Sequence, residues 1–304
     1  MKKEILILVI VSLLVLPLAS AGIFDWITGK AAQTQGVNIT VGNTGPQLTN
    51  VSAIANVGLN KYGLSDGKKT VFFSFIAYDH DSYNGYVDLD DATAYANFTK
   101  ASEGLRENTS CSAIENIDDN SRNYSCSIDM YYFDAAGSWT VTAYIKDKSA
   151  APAINDTTTF TVNSLDAMDL SPAALTFPTL IPGATNQEAT NDPTVLNNSG
   201  NQNFAVIEIN ATRLTGESDN SIKISADLFK VNSTHGAADA CSADAMSNST
   251  YVTITGAVLN KGNLTAGNAK EQLYYCLTSA PAYLTKQAYS TGAEGAWSVN
   301  VRTV

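Results

Sequence analysis

The sequence predicts an all-β protein: two tandem immunoglobulin-like β-sandwiches behind a cleaved signal peptide. Three observations predict it. From Val37 onward, short runs rich in Val, Ile, Thr, Tyr and Phe alternate with clusters of Asn, Asp, Gly and Ser. A glycine-led turn delivers a tryptophan into an alternating strand twice, once in each half. The first residues carry the basic, apolar and small-residue order of an export signal.

That signal comes first in the chain. Lys2 and Lys3 precede an apolar run from Ile5 to Leu18, and Ala19-Ser20-Ala21 follows, which places cleavage between Ala21 and Gly22. A retained anchor is the alternative. However, about fourteen apolar residues rise only about 21 Å as a helix, against roughly 30 Å of hydrocarbon. No other stretch approaches the roughly 20 apolar residues of a spanning helix, so a mature chain without a transmembrane span is expected. Residues 22–36 form an N-terminal segment whose head, Gly22 to Lys30, carries Ile23, Phe24, Trp26 and Ile27. This head either docks on a membrane or partner surface or simply flanks a processed terminus.

A first sandwich is expected over 37–163. Its seven strands are Val37 to Val41, Val51 to Leu59, Lys69 to Asp79, Thr93 to Lys100, Asn123 to Phe133, Ser138 to Lys146 and Thr157 to Asn163. Residues 164–172 lack a strong strand pattern and read as a linker. A second sandwich is expected over 173–304, with strands Ala174 to Phe177, Phe204 to Asn210, Ser221 to Lys230, Tyr251 to Thr255, Leu273 to Leu277 and Trp297 to Thr303. The repeated element is Gly137-Ser138-Trp139-Thr140-Val141 after Cys126 and Gly295-Ala296-Trp297-Ser298-Val299 after Cys276. Alternation places Trp139, Val141 and Ala143, and likewise Trp297, Val299 and Val301, on one sheet face, which makes core packing their default role over ligand stacking.

The four cysteines are even in number behind an export signal, so disulfides are expected. Pairing Cys111 with Cys126 and Cys241 with Cys276 keeps each bridge inside one sandwich. Eleven Asn-X-Ser/Thr sequons, at Asn38, Asn50, Asn97, Asn108, Asn123, Asn155, Asn197, Asn210, Asn232, Asn248 and Asn263, predict a glycoprotein in a host that has the machinery.

The densest chemistry lies in the loop Tyr78-Asp79-His80-Asp81-Ser82-Tyr83-Asn84-Gly85-Tyr86-Val87-Asp88-Leu89-Asp90-Asp91. Asp79, Asp81, Asn84, Asp88, Asp90 and Asp91 can supply the oxygen ligands that Ca²⁺ takes, and Asn84-Gly85 can form the turn that gathers them. The spacing is not that of an EF-hand, because Tyr83 stands at the fifth position and Asp90 at the twelfth. A solvated acidic hairpin with Asx-turns is the competing reading.

With this loop and its flanks, the chain resembles the immunoglobulin-like and PKD-like domains of prokaryotic, particularly archaeal, surface proteins. The likeness rests on Phe73-Ser74-Phe75, Asp79, Asp81, Gly85, Asp88-Leu89 and the closing Gly137-Ser138-Trp139-Thr140-Val141. It covers the first sandwich and only the Gly-x-Trp end of the second. The chain lacks the Trp-Asp-Phe-Gly-Asp core of PKD domains, and the separation of 15 positions from Cys111 to Cys126 is far shorter than antibody-type disulfides span. The resemblance implies a fold and a surface setting.

Composition excludes some functions. A formal charge of −11 with scattered Lys and Arg repels phosphate backbones, so nucleic acid is not an expected partner. Two histidines, His80 and His235, sit near no cysteine pair of metal-ligand spacing. No Gly-x-Ser-x-Gly elbow, P-loop or His-Glu-x-x-His occurs, which leaves carboxylate pairs among Asp79, Asp88 and Asp90 as the sole catalytic option. The expectation is a secreted or cell-surface, non-catalytic protein of structural or adhesive role, an envelope-layer or appendage component. Its partners would be other surface proteins, glycans or further copies of itself. The alternative is a soluble carbohydrate- or peptide-binding module that uses Tyr78, Tyr83 and Tyr86.

Overall fold

The computed structural model describes residues 35–83, 86–234, 241–265 and 269–303. The expected signal peptide, the head up to Lys30, Asn84, Gly85 and His235 lie outside the described residues. The chain divides into two units, Met1–Asn43 and Thr44–Val304. In the first, residues 35–43 hold no regular secondary structure. The strand expected over Val37 to Val41 is therefore not formed, and all three of its apolar side chains are exposed.

The second unit is all-β. Its helical content among the described residues is two single 3₁₀ turns, Lys61–Gly63 and Ala226–Leu228. Ten strands come first: β1 (Gln47–Thr49), β2 (Lys68–Tyr78), β3 (Ser82–Tyr83), β4 (Tyr86–Val87), β5 (Leu89–Thr99), β6 (Arg106–Asn108), β7 (Ser112–Asn116), β8 (Ser121–Tyr131), β9 (Gly137–Asp147) and β10 (Pro152–Val162). They form two four-stranded antiparallel sheets, ordered β1-β2-β8-β7 and β10-β9-β5-β6, with β3 and β4 as a separate hairpin. Period-two alternation drives this pairing. Val71, Phe73, Phe75 and Ala77 of β2 are buried, as are Tyr124, Cys126, Ile128 and Met130 of β8. From the other sheet Ala94, Ala96 and Phe98 of β5 and Trp139, Val141, Ala143 and Ile145 of β9 join the same cluster.

The segment from Val51 to Leu59, expected as a strand, contributes one parallel bridge, Val57 to Val162. It buries Val57 and Leu59 without forming a ladder. Edge strands such as β7, whose five residues are all exposed, had no apolar alternation to announce them.

A further twelve strands follow: β11 (Met168–Ser171), β12 (Thr185–Glu188), β13 (Thr194–Asn198), β14 (Val206–Asn210), β15 (Leu214–Gly216), β16 (Lys223–Ile224), β17 (Phe229–Asn232), β18 (Asp244–Ala245), β19 (Tyr251–Thr253), β20 (Lys270–Ser279), β21 (Tyr289–Ser290) and β22 (Ser298–Arg302). The long strand β20 is the axis, with β13 and β12 along one side and β17 on the other. Smaller sheets β19-β14-β22 and β16-β15-β21 accompany it. They share a second cluster that includes Leu196, Ile207, Ile209, Phe229, Val231, Leu273, Tyr275 and Leu277.

Two expectations are corrected here. The stretch read as a strandless linker contains β11, which pairs with β13. Ala174 to Phe177 is not a strand. Pro172 and Pro178 bracket it, and neither has an N–H to give a ladder.

Two disulfides close local loops, Cys111–Cys126 with Cα atoms 4.6 Å apart and Cys241–Cys276 at 5.1 Å. These are the two pairs favoured from the sequence. Both Gly-x-Trp turns also follow one plan: Gly137 and Gly295 take φ of 103° and 97°, where a Cβ would be strained. The indole of Trp139 donates to the Ala135 carbonyl at 2.9 Å, and that of Trp297 to the Thr212 carbonyl at 2.7 Å. Trp139 is fully buried, whereas Trp297 is partly open.

Candidate functional site

Three carboxylates meet at one end of the first pair of sheets. Asp79 follows the last residue of β2, Asp88 precedes β5, and Asp147 ends β9. The register pairs Leu89 with Asp147, which sets Asp88 and Asp147 side by side in one sheet. Asp79 enters from the other sheet, so the cluster spans the two layers. One oxygen from each of the three lies within 4.8 Å of the others.

All three side chains are buried, at 0 %, 3 % and 1 % exposure for Asp79, Asp88 and Asp147. Asp79 Oδ1 accepts the Asp81 amide at 2.9 Å, and Asp147 Oδ1 accepts the Ala151 amide at 2.7 Å. Asp79 Oδ2 and Asp88 Oδ1, by contrast, are buried without a hydrogen-bond partner. Burial holds the Asp79 carboxyl above its ordinary range; the Asp81 amide opposes that shift, and the charges of Asp147, Asp81 and Asp88 add to it. The Lys148 ammonium lies at the same end and reaches the Val87 carbonyl at 3.5 Å.

Buried carboxylate oxygens without donors are costly unless a cation or a shared proton compensates them. The donor set suits a hard cation. Oxygens on a Ca²⁺ ion at about 2.3–2.6 Å lie at most about 5 Å apart, and the 4.8 Å spread fits inside that sphere.

The structure redistributes the residues that the sequence assembled into one loop. Asp79 and Asp88 meet. Asp81 Oδ2 instead accepts the Thr44 amide. Asp90 Oδ1 accepts the Ala92 amide at 3.3 Å, and its carbonyl accepts the Thr93 hydroxyl. Asp91 accepts both Arg122 and the Tyr124 hydroxyl from β8. Asp90 still pairs with Lys146, next to Asp147, and the register of β5 shifts only after it, between Asp90 and Tyr95.

Asp147, 59 positions after Asp88, was missed. Its one signal was an aspartate ending an apolar strand, and only the β5–β9 pairing gives that position meaning.

The sequons fall into classes. Asn38, Asn50, Asn248 and Asn263 are exposed. Asn97, Asn123, Asn197, Asn210 and Asn232 lie half-buried in strands. The Asn108 and Asn155 amide nitrogens are occupied, donating to the Ser127 carbonyl at 2.8 Å and the Leu48 carbonyl at 3.2 Å.

The second cluster carries a cavity of about 960 Å³. Leu175, Phe177, Phe229, Tyr275, Trp297 and Val299 are among the residues that line it. The Trp297 ring meets Phe229 edge-on, with centroids 5.1 Å apart. Sequence reasoning found Trp297 but not the cavity, because part of its lining is the irregular stretch between Pro172 and Pro178.

No protein-family model matches this chain, and the search of curated proteins finds no significant relative.

Proposed function

We propose that the protein is a non-catalytic, exported β-sandwich protein of the cell surface, a structural component of an envelope layer or appendage, whose first sandwich is closed by Ca²⁺ held by Asp79, Asp88 and Asp147. The buried acidic cluster is the observation that carries this reading. It ties β2 of one sheet to β5 and β9 of the other at a point where two oxygens have no protein partner. A cation held there acts as a staple between layers, and extracellular modules suit such sites because free Ca²⁺ outside cells is at millimolar levels. The first hydrophobic cluster corresponds to one immunoglobulin-like sandwich and the second to another. Two disulfides, eleven sequons and the signal pattern support an extracytoplasmic setting. Among the described residues no helix is long and apolar enough to cross a membrane.

The cavity beside Trp297 favours a second reading, a soluble module that captures a carbohydrate or peptide. Fractionation of native cells separates the two. The protein is expected in the envelope fraction at physiological Ca²⁺ and in the supernatant after chelation. Recovery entirely in the medium under both conditions contradicts the structural reading.

A further inference from the structure

Residues 35–43 have the pattern of a strand and lack its partner. Val37, Ile39 and Val41 are 78 %, 78 % and 85 % exposed. Period two puts these three side chains on one face and Asn38 and Thr40 on the other. An apolar, β-prone face left in water is stabilised by adding to a sheet edge.

The second cluster offers such an edge. β22 ends its three-stranded sheet, so its outer side pairs with no strand among the described residues. Val299 and Val301 of β22, and Trp297 just before it, are only half-buried, whereas Ile207 and Ile209 on the adjacent β14 are 0 % and 1 % exposed. Trp297 and Val299 also line the cavity of about 960 Å³. The lengths agree as well. Val37 to Val41 spans roughly 17 Å as a strand, and β22 has the same five residues.

We propose that Val37–Val41 of one copy adds as a strand beside β22 of a second copy, its Val37, Ile39 and Val41 side chains entering the cavity. An arm docking into a groove of the next molecule is a heterologous contact, which builds an open chain of subunits unless the rotation closes. The Asn38 sequon sits on the opposite face of the added strand, so a glycan there points away from the groove. This inference rests on the reading of an assembling surface protein and names its partner as the chain itself.

Two full-length variants carrying different tags, Ile39→Cys and Thr179→Cys, test it. The described cysteines are all in disulfides, so each variant adds one thiol. Thr179 lines the cavity and is exposed. On mixing under copper-catalysed air oxidation, a covalent heterodimer is expected. Tyr62→Cys, at a side chain 71 % exposed, replaces Ile39→Cys as the control and should give none. In parallel, light scattering should show wild-type oligomers that grow with concentration, and Ile39→Asp should raise the concentration needed at least tenfold. A heterodimer yield no higher than the Tyr62 control overturns the proposal. Oligomers that persist unchanged in Ile39→Asp overturn it while leaving an assembling surface protein in place. A strictly monomeric wild type that also fails to associate with its envelope overturns both.

Discussion

Arg106 and Asp134 form the most enclosed ion pair among the described residues, with side chains 4 % and 0 % exposed. The Arg106 Nε lies 3.1 and 3.0 Å from the two Asp134 oxygens, and Nη1 donates to the Gly104 and Leu105 carbonyls. Asp134 Oδ2 also accepts the Tyr131 amide at 2.8 Å. Burial pushes the Asp134 carboxyl above its ordinary range, against the pull of Arg106, so the charged form depends on that guanidinium. Removing one partner strands a buried charge, which costs about 3–5 kcal/mol. Urea unfolding is therefore expected to show Arg106→Met destabilised by that amount. Arg122→Met, which loses the more exposed pair with Asp91, should lose about 1 kcal/mol or less. Equal losses in the two variants would contradict this ranking. No spacing in the sequence announced Arg106, because its partner is 28 residues away and is met only when β6 and the turn after β8 come together. Asp147 was hidden for the same reason. Asp79 and Asp88 were legible because a short loop carries both.

At the scale of elements, legibility followed burial on one face. The strands β2, β5, β8 and β9 alternate buried and open residues along their length, and the sequence placed each of them within a few residues. Where alternation is present without a partner, as in Val37 to Val41, the pattern misled. Where a strand is exposed throughout, as in β7, no apolar alternation existed to read. The same distinction sorts the sequons. Asn108 and Asn155 belong to strands and use their amide nitrogens on backbone carbonyls, so a glycan would have to be attached to a nitrogen already held against the fold. Asn50 and Asn263 lie outside strands and Asn248 at a turn, all three exposed. Peptide mapping of the native protein from a glycosylating host is expected to find glycan at Asn50, Asn248 and Asn263 and bare Asn108 and Asn155. Glycan on Asn108 or Asn155 in folded protein would contradict the hydrogen bonding described.

In the molecule as a whole, the two hydrophobic clusters are joined by polar contacts. The Asn201 side chain, 1 % exposed, grips the connecting chain twice: its Nδ2 donates to the Asn163 carbonyl at 2.9 Å, and its Oδ1 accepts the Leu165 amide at 2.8 Å. Next to it, a Cβ on Gly200 would fall 2.1 Å from the Leu165 carbonyl oxygen, so only glycine fits this approach. Lys261 reaches from the second half to Glu103 in the first at 2.9 Å. The all-β class was readable from composition and rhythm. The clamp on the connector was not, because Asn201 meets Asn163 and Leu165 only once the fold brings positions 36 to 38 residues apart together.

The claim that most depends on this arrangement is that Asp79, Asp88 and Asp147 hold a cation between the two sheets. An ion bound by the folded state alone at a hundredfold above its Kd stabilises by about 2.7 kcal/mol, which for a domain of this size moves the melting midpoint by roughly 5–10 °C. Thermal melting of the full chain in millimolar Ca²⁺ and in chelator measures it directly. A midpoint higher by several degrees in Ca²⁺, with the difference lost in Asp147→Asn, is the predicted result. Equal wild-type midpoints in the two conditions would contradict the cation site.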